Sequence, residues 1–343
     1  MIRRSFFQKT TAALLGLGLT GKVFAQKKNG KRKMKSEICA TVEEHKLSFY
    51  AEAVKEPITI FHITDTHLFK DDQRGVPFQE FSGRMAKAYN ETTHFQTGEK
   101  TNPEETFVET LKLAKEADAD LITLVGDLFS FPSEIAIEWV LERLKETGIP
   151  YIYIAGNHDW HYEGMAGTLE ELRDTWTQKR LLPLYQGKHP LMAATDVKGV
   201  RFIAIDNSTY QINEDQLTFF KEQVASGMPL VLLVHIPMYA PGKRISFGCG
   251  NPNWNEASDT NFEIERRPKW PVSGHTKTTF DFHKEVFSAS NLLGVFAGHT
   301  HRFSMELIKG TPQIVTDDNA SGGYLDVQFL PLENKDKELI AES

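Results

Sequence analysis

The chain is 343 residues long, 40% hydrophobic and 25% charged, with a formal net charge of −7 at pH 7 and a mean hydropathy of −0.37. That length accommodates one large core or two modest ones, with a single domain the simplest reading, and the composition lies away from disordered and membrane classes. Ten cations and no acid precede Ser36, so the remaining residues sum to −17. So acidic a body repels a polyphosphate backbone at long range, which argues against nucleic acid as a partner and leaves small phosphorylated substrates open.

At the N-terminus, Arg3-Arg4-Ser5-Phe6-Phe7-Gln8-Lys9 leads into an apolar run from Thr11 to Leu19 and then Val23-Phe24-Ala25. Charged, apolar and cleavable parts in that order read as a signal peptide over residues 1–25. The paired arginines before Phe-Phe resemble the twin-arginine signal of bacteria, which implies export of the folded protein to the periplasm or beyond. The apolar run is too short for roughly 30 Å of hydrocarbon, so no stable membrane span is expected. Residues 26–36 read as a basic, solvated linker, and 37–343 as one domain. Cys39 and Cys249 lie far apart in sequence, and their pairing stays open.

Short runs rich in β-branched and aromatic residues predict buried strands at Ile58 to Ile63, Leu121 to Val125, Tyr151 to Ile154, Val200 to Ile205, Leu230 to Val234 and Leu292 to Phe296. Between them, Asn102-Pro103-Glu104-Glu105 opens a helix with Phe107, Leu111 and Ala114 on one face. A second helix is predicted from Ser133 to Thr147, stopped by Gly148, and a third from Asn213, with Gln216 three residues on, to Gly227. The tail from Met305 to Leu330 reads as strand pieces separated by Gly310-Thr311-Pro312 and Ser321-Gly322-Gly323. Strand–helix alternation followed by extra strands predicts a layered α/β architecture. Two stretches without a period, Lys70 to Thr101 and an insert at 239–276, are candidate pocket walls.

Five short motifs fall at ends of these strands: Asp65-Thr66-His67, Gly126-Asp127, Gly156-Asn157-His158-Asp159, His235, and Gly298-His299-Thr300-His301. Carboxyl ends of strands in an open α/β sheet converge on one crevice, which can gather residues this far apart. Carboxylate, imidazole and amide oxygen suit divalent Zn, Mn or Fe, and no cysteine cluster points to a thiolate site. In extended backbone, the outer residues of Asp65-Thr66-His67 and His299-Thr300-His301 would face one side.

The ordered set, spanning Pro57 to His301, resembles the calcineurin-like metallophosphoesterases, with their D-x-H, G-D, G-N-H-[D/E], H and G-H-x-H motifs. The resemblance implies a β-sandwich flanked by helices in αββα layers and two divalent metal ions. It assigns Asp65, His67 and His301 to one metal, Asn157, His235 and His299 to the other, and Asp127 to both. It implies that His158 contacts the substrate phosphate or protonates the leaving oxygen, that Asp159 orients His158, and that a metal-bridged hydroxide attacks phosphorus. Purple acid phosphatases of this superfamily carry tyrosine three residues after the aspartate of G-D; here that position is Ser130, which departs from the iron–tyrosinate subgroup.

Taken singly, these residues have bland readings: Asp65 as a loop cap, Asn157 in a turn, His235 as a satisfied strand-end histidine. Their order outweighs those readings. His62 reads as a packed residue, while His161 and His275 stand out only by location. In the insert, Trp254, Phe247, Phe262 and Trp270 read as loop packing before base stacking, and Arg244, Arg266 and Arg267 as a solvated face. The predicted activity is hydrolysis of a phosphate monoester or diester. The same motifs fit cyclic nucleotide and nucleoside pyrophosphate hydrolases, and a noncatalytic scaffold is the alternative from another class.

Overall fold

The computed structural model describes residues 38–85, 89–242, 248–255 and 274–333. The expected signal peptide and linker lie outside the described residues. So do Arg244, Phe247, Phe262, Arg266, Arg267 and Trp270.

The first sheet contains β1 (Ile38–Glu43), β2 (Lys46–Ala51), β3 (Ile58–Ile63), β6 (Leu121–Val125), β7 (Tyr151–Ile154) and β14 (Leu325–Pro331), in the order β1-β2-β14-β3-β6-β7. The second contains β8 (Met192–Val197), β9 (Val200–Ile205), β10 (Leu230–Leu233), β11 (Leu292–Ala297), β12 (Ser304–Ile308) and β13 (Thr311–Val315), in the order β12-β13-β11-β10-β9-β8. A short ribbon, β4 (Thr92–Thr93) with β5 (Lys100–Thr101), stands apart. β3, β6 and β7 run parallel, as do β9, β10, β11 and β13.

Side chains alternate across a strand, so each sheet has two faces to bury. Ile58 and Ile60 of β3, Leu121 and Val125 of β6, Val200 and Phe202 of β9, and Val231 and Leu233 of β10 share one core between the sheets. The intervening Phe61, Ile63, Ile122, Leu124, Ile203 and Leu232 join a second core with the helices. Apolar residues on both faces explain why these strands read as continuous runs rather than alternating ones.

The helices are α1 (Gln79–Met85), α2 (Pro103–Glu116), α3 (Glu134–Thr147), α4 (Leu169–Trp176), α5 (Glu214–Ala225) and α6 (Lys277–Val286). α2 packs on α3 and α5 on α6. Asn102 caps α2 by accepting from the Glu105 amide, and Asn213 with Gln216 forms the expected capping box of α5. Ser133 precedes α3 in extended backbone but makes no side-chain cap, while Gly148 closes it at φ 72°. In the tail, Thr311 and Pro312 belong to β13 instead of separating strands; the turn is made at Lys309 and Gly310. Cys39 and Cys249 are free thiols. No helix among the described residues is long and apolar enough to cross a membrane.

Candidate metal centre

The loops that follow β3, β6, β7, β10 and β11 meet at one end of the sandwich. Backbone hydrogen bonds register them: the Asp65 amide donates to Gly126 O (3.0 Å), the His67 amide to Asp127 O (2.9 Å), and the Gly298 amide to His235 O (3.0 Å). Such approach leaves no room for side chains at the motif glycines. A Cβ on Gly126, itself at φ 80°, would lie 2.5 Å from His235 Nδ1 and 2.6 Å from Gly156 Cα; one on Gly298 would lie 2.0 Å from Thr64 Oγ1.

Asp65 (φ 55°), His67 (51°), Asp127 (51°), His299 (71°) and His301 (53°) all adopt left-handed backbone. The outer residues of the two motifs are therefore not in extended strand, and their side chains are aimed by tight turns. Left-handed conformations of ordinary residues cost ~1–3 kcal/mol each and persist where surrounding contacts over-determine them. Here those contacts are the interloop hydrogen bonds.

Two groups result: Asp65, His67 and His301, and Asp127, His235 and His299. Within each, one atom per residue lies within 4.8 Å of the others, close enough to hold a metal ion. In the first, His301 Nε2 is 3.2 Å from Asp65 Oδ1 and 3.1 Å from His67 Nε2. In the second, His235 Nε2 is 3.1 Å from Asp127 Oδ2, and that oxygen is also 4.0 Å from His67 Nε2, so Asp127 stands between the groups. Asn157 is fully buried, between Gly156, where a Cβ would meet Asp127 Oδ1, and His158, whose amide donates to that oxygen at 2.7 Å.

The donor set fits divalent cations. His67 Nδ1 is buried without a hydrogen-bond partner, and Asp65 Oδ1 and His235 Nε2 are buried with only His301 and Asp127 facing them. Burial alone would raise the Asp65 and Asp127 carboxyls, but His301 beside the first and His235 beside the second hold both below the ordinary carboxylate range. Burial brings His67 down to about 4 and, with help from His235, His299 to about 3. Against the same burial, Asp127 lifts His235 to about 10 and Asp65 raises His301. Each carboxylate thus favours the protonated form of the imidazole beside it, and a cation entering either group would compete with that proton.

The His158 ring meets His67 edge-on at 5.0 Å between centroids. Asp159 has partners other than the expected His158 ring. Its Oδ2 accepts from the amides of Asp127 (3.0 Å) and Gly156 (2.8 Å) and from the Tyr153 hydroxyl (2.9 Å), while Oδ1 accepts from the Phe129 amide (2.9 Å). Several buried amides of the β6 and β7 loops need an acceptor, and one carboxylate serves them. Burial and neighbouring Asp127 nevertheless push its carboxyl upward.

Ser130 donates to His67 O at 2.9 Å and supports the first loop from behind. His62 lies in the inter-sheet core with Nδ1 2.9 Å from Thr123 Oγ1, as a packed histidine should. His161 is buried, and His275 stacks on Trp254 at 4.5 Å. Two residues at the centre had no motif to mark them. Tyr89 stacks on His67 at 4.0 Å and 9° between planes, and the Tyr210 hydroxyl is 2.6 Å from His299 Nε2. Proximity in the fold is their only signal.

The family described as calcineurin-like phosphoesterase matches residues 58–303, which hold every motif residue above. A "Probable cyclic nucleotide phosphodiesterase" of Moraxella catarrhalis is 39% identical over 57 residues, 17% of this chain and 21% of that protein. The DNA double-strand break repair protein Mre11 of Sulfurisphaera tokodaii is 34% identical over 105 residues, 29% of this chain and 22% of that protein. The chain therefore spans less than a quarter of either curated relative. Among solved structures, a dimetal phosphatase from Danio rerio aligns at 10% identity and TM-score 0.47, covering 77% of this chain and 88% of that one. Purple acid phosphatase PPD1 from yellow lupin aligns at 14% identity and TM-score 0.46, covering 82% and 48%.

Proposed function

Because the chain belongs to the calcineurin-like phosphoesterase family, we propose that it hydrolyses phosphate monoesters or diesters of small molecules with two divalent cations. The observation that carries this reading is the pair of carboxylate–imidazole groups sharing Asp127, whose Oδ2 lies 3.1 Å from His235 and 4.0 Å from His67. Asp65, His67 and His301 would hold one cation, Asn157, His235 and His299 the other, with Asp127 common to both. Nitrogen and oxygen donors without thiolate favour Mn, Fe or Zn.

When bound, such a pair neutralises phosphate oxygens and lowers the pKa of water toward roughly 7. The protein's own residues do the rest. Deep burial of Asp65, His67, Asp127 and Asn157 keeps bulk water from the donors and strengthens every charge interaction there. His158, poised over His67, contacts the phosphate and hands a proton from its imidazole to the departing ester oxygen. Asp159 fixes the Asp127 and Gly156 backbone, and so keeps the shared carboxylate in place.

The leader sequence supports a periplasmic or secreted site of action. A cyclic nucleotide is one substrate within this class, suggested by the short match to the Moraxella protein. The purified chain, incubated with Mn, Fe or Zn and a panel of aryl and alkyl mono- and diesters, is expected to release phosphate or alcohol and to stop when chelator is added. No turnover of any ester with any of the three metals would instead favour a noncatalytic scaffold.

A further inference from the structure

Tyr210 follows β9 and belongs to none of the five motifs, yet its hydroxyl is 2.6 Å from His299 Nε2. Its backbone is left-handed, at φ 61°, and its ring is buried. Residues of the insert grip it from two sides. Its ring stacks on Trp254 at 5.1 Å and 6°, Trp254 stacks on His275, and His275 Nδ1 is 2.8 Å from Tyr210 O. Cys249 Sγ donates to the same carbonyl at 3.9 Å.

A neutral imidazole has one N–H and one lone pair, and a ligating histidine gives its lone pair to the metal while its other nitrogen holds an outer partner. With Nε2 of His299 engaged by the phenol, Nδ1 is the nitrogen left for a cation. We propose that Tyr210 is a positioning residue for His299: it accepts the Nε2 proton, fixes the tautomer, and joins the described insert segments 248–255 and 274–276 to the second metal group. This rests on the dimetal reading above.

Tyr210→Phe tests it, since the ring and its stack remain and only the hydroxyl is lost. Equilibrium dialysis against zinc should show two ions bound by the parent chain. In the variant one of the two ions should lose ~10–100-fold in affinity while the other is little changed. Turnover should fall at limiting zinc and recover with excess, with KM for the ester unchanged. In the zinc-loaded parent labelled with 15N-histidine, long-range proton–nitrogen correlation should find the His299 proton on Nε2. That measurement decides the matter even if the variant does not fold. A proton on Nδ1 of His299, or a variant that binds both ions like the parent, overturns the proposal. Failure of the parent itself to bind two ions would overturn the dimetal reading instead.

Discussion

Gly298→Ala probes how tightly the site loops are packed. The new Cβ would sit 2.0 Å from Thr64 Oγ1, 2.4 Å from Asp65 Oδ2 and 2.7 Å from Thr64 Cγ2, so Thr64 must give by at least ~1 Å and Asp65 by somewhat less. Thr64 Oγ1 now bonds Asp65 Oδ2 and Val125 O, both at 2.8 Å, and Asp65 Oδ2 also accepts from the His299 amide at 2.8 Å. Overpacking costs ~1–3 kcal/mol and each broken hydrogen bond ~1 kcal/mol, so the variant should lose ~3–5 kcal/mol of stability. Asp65 would also move away from His301, and the first metal group should lose its ion. Denaturant unfolding in chelator measures the first effect, and metal analysis after dialysis the second. Adding Thr64→Ala removes two of the three clashing atoms and should recover ~1–2 kcal/mol, a coupling that a double-mutant cycle isolates. A Gly298→Ala protein within ~1 kcal/mol of the parent, still holding two ions, would refute the reasoning.

Asp159→Asn should cost ~2–4 kcal/mol, because an amide cannot accept from all four donors and leaves a buried N–H facing its own. Unchanged unfolding with slower turnover would show that the carboxylate acts on His158 instead. His158→Ala should keep both ions yet slow alkyl esters by ~10²–10⁴-fold and activated aryl esters far less, since only the poor leaving group needs a proton. Equal losses on both would remove the acid role. His62 is held by burial at about 4, below its ordinary 6.5, so its neutral form contributes stability above pH 6.5 that is lost as pH falls toward 4. At ~1.4 kcal/mol per unit the gap amounts to ~3 kcal/mol, which His62→Gln should remove from the pH dependence of unfolding. Parallel profiles for the two proteins would contradict this.

Much of the fold lies in local pattern. All six predicted strands form with ends within one residue, because residues buried on both faces make compact apolar runs. The Asn102 and Asn213 caps were legible because capping is set by four consecutive residues. The insertion of β14 between β2 and β3 was not, since strand neighbours far apart in sequence leave no local signature. α4 begins with a readable Thr168–Glu171 capping box, a signal the apolar periodicity of eight residues was too short to draw attention to. At the site, motif order located Asp65, His67, Asp127, His235, His299 and His301, whereas the left-handed backbone of all of these but His235 was invisible and reversed the extended-strand expectation. Tyr89 and Tyr210 reach the same centre through tertiary packing alone, and the acceptor role of Asp159 depends on where the β6 and β7 loops place their amides.

The stoichiometry of divalent metal in the purified chain and in Asp127→Ala bears most directly on the central claim. Two ions per parent chain, and loss of both ions with all esterase activity in the variant, is the predicted result. A parent that binds one ion or none, or a variant that keeps two, would contradict a centre built around one shared carboxylate.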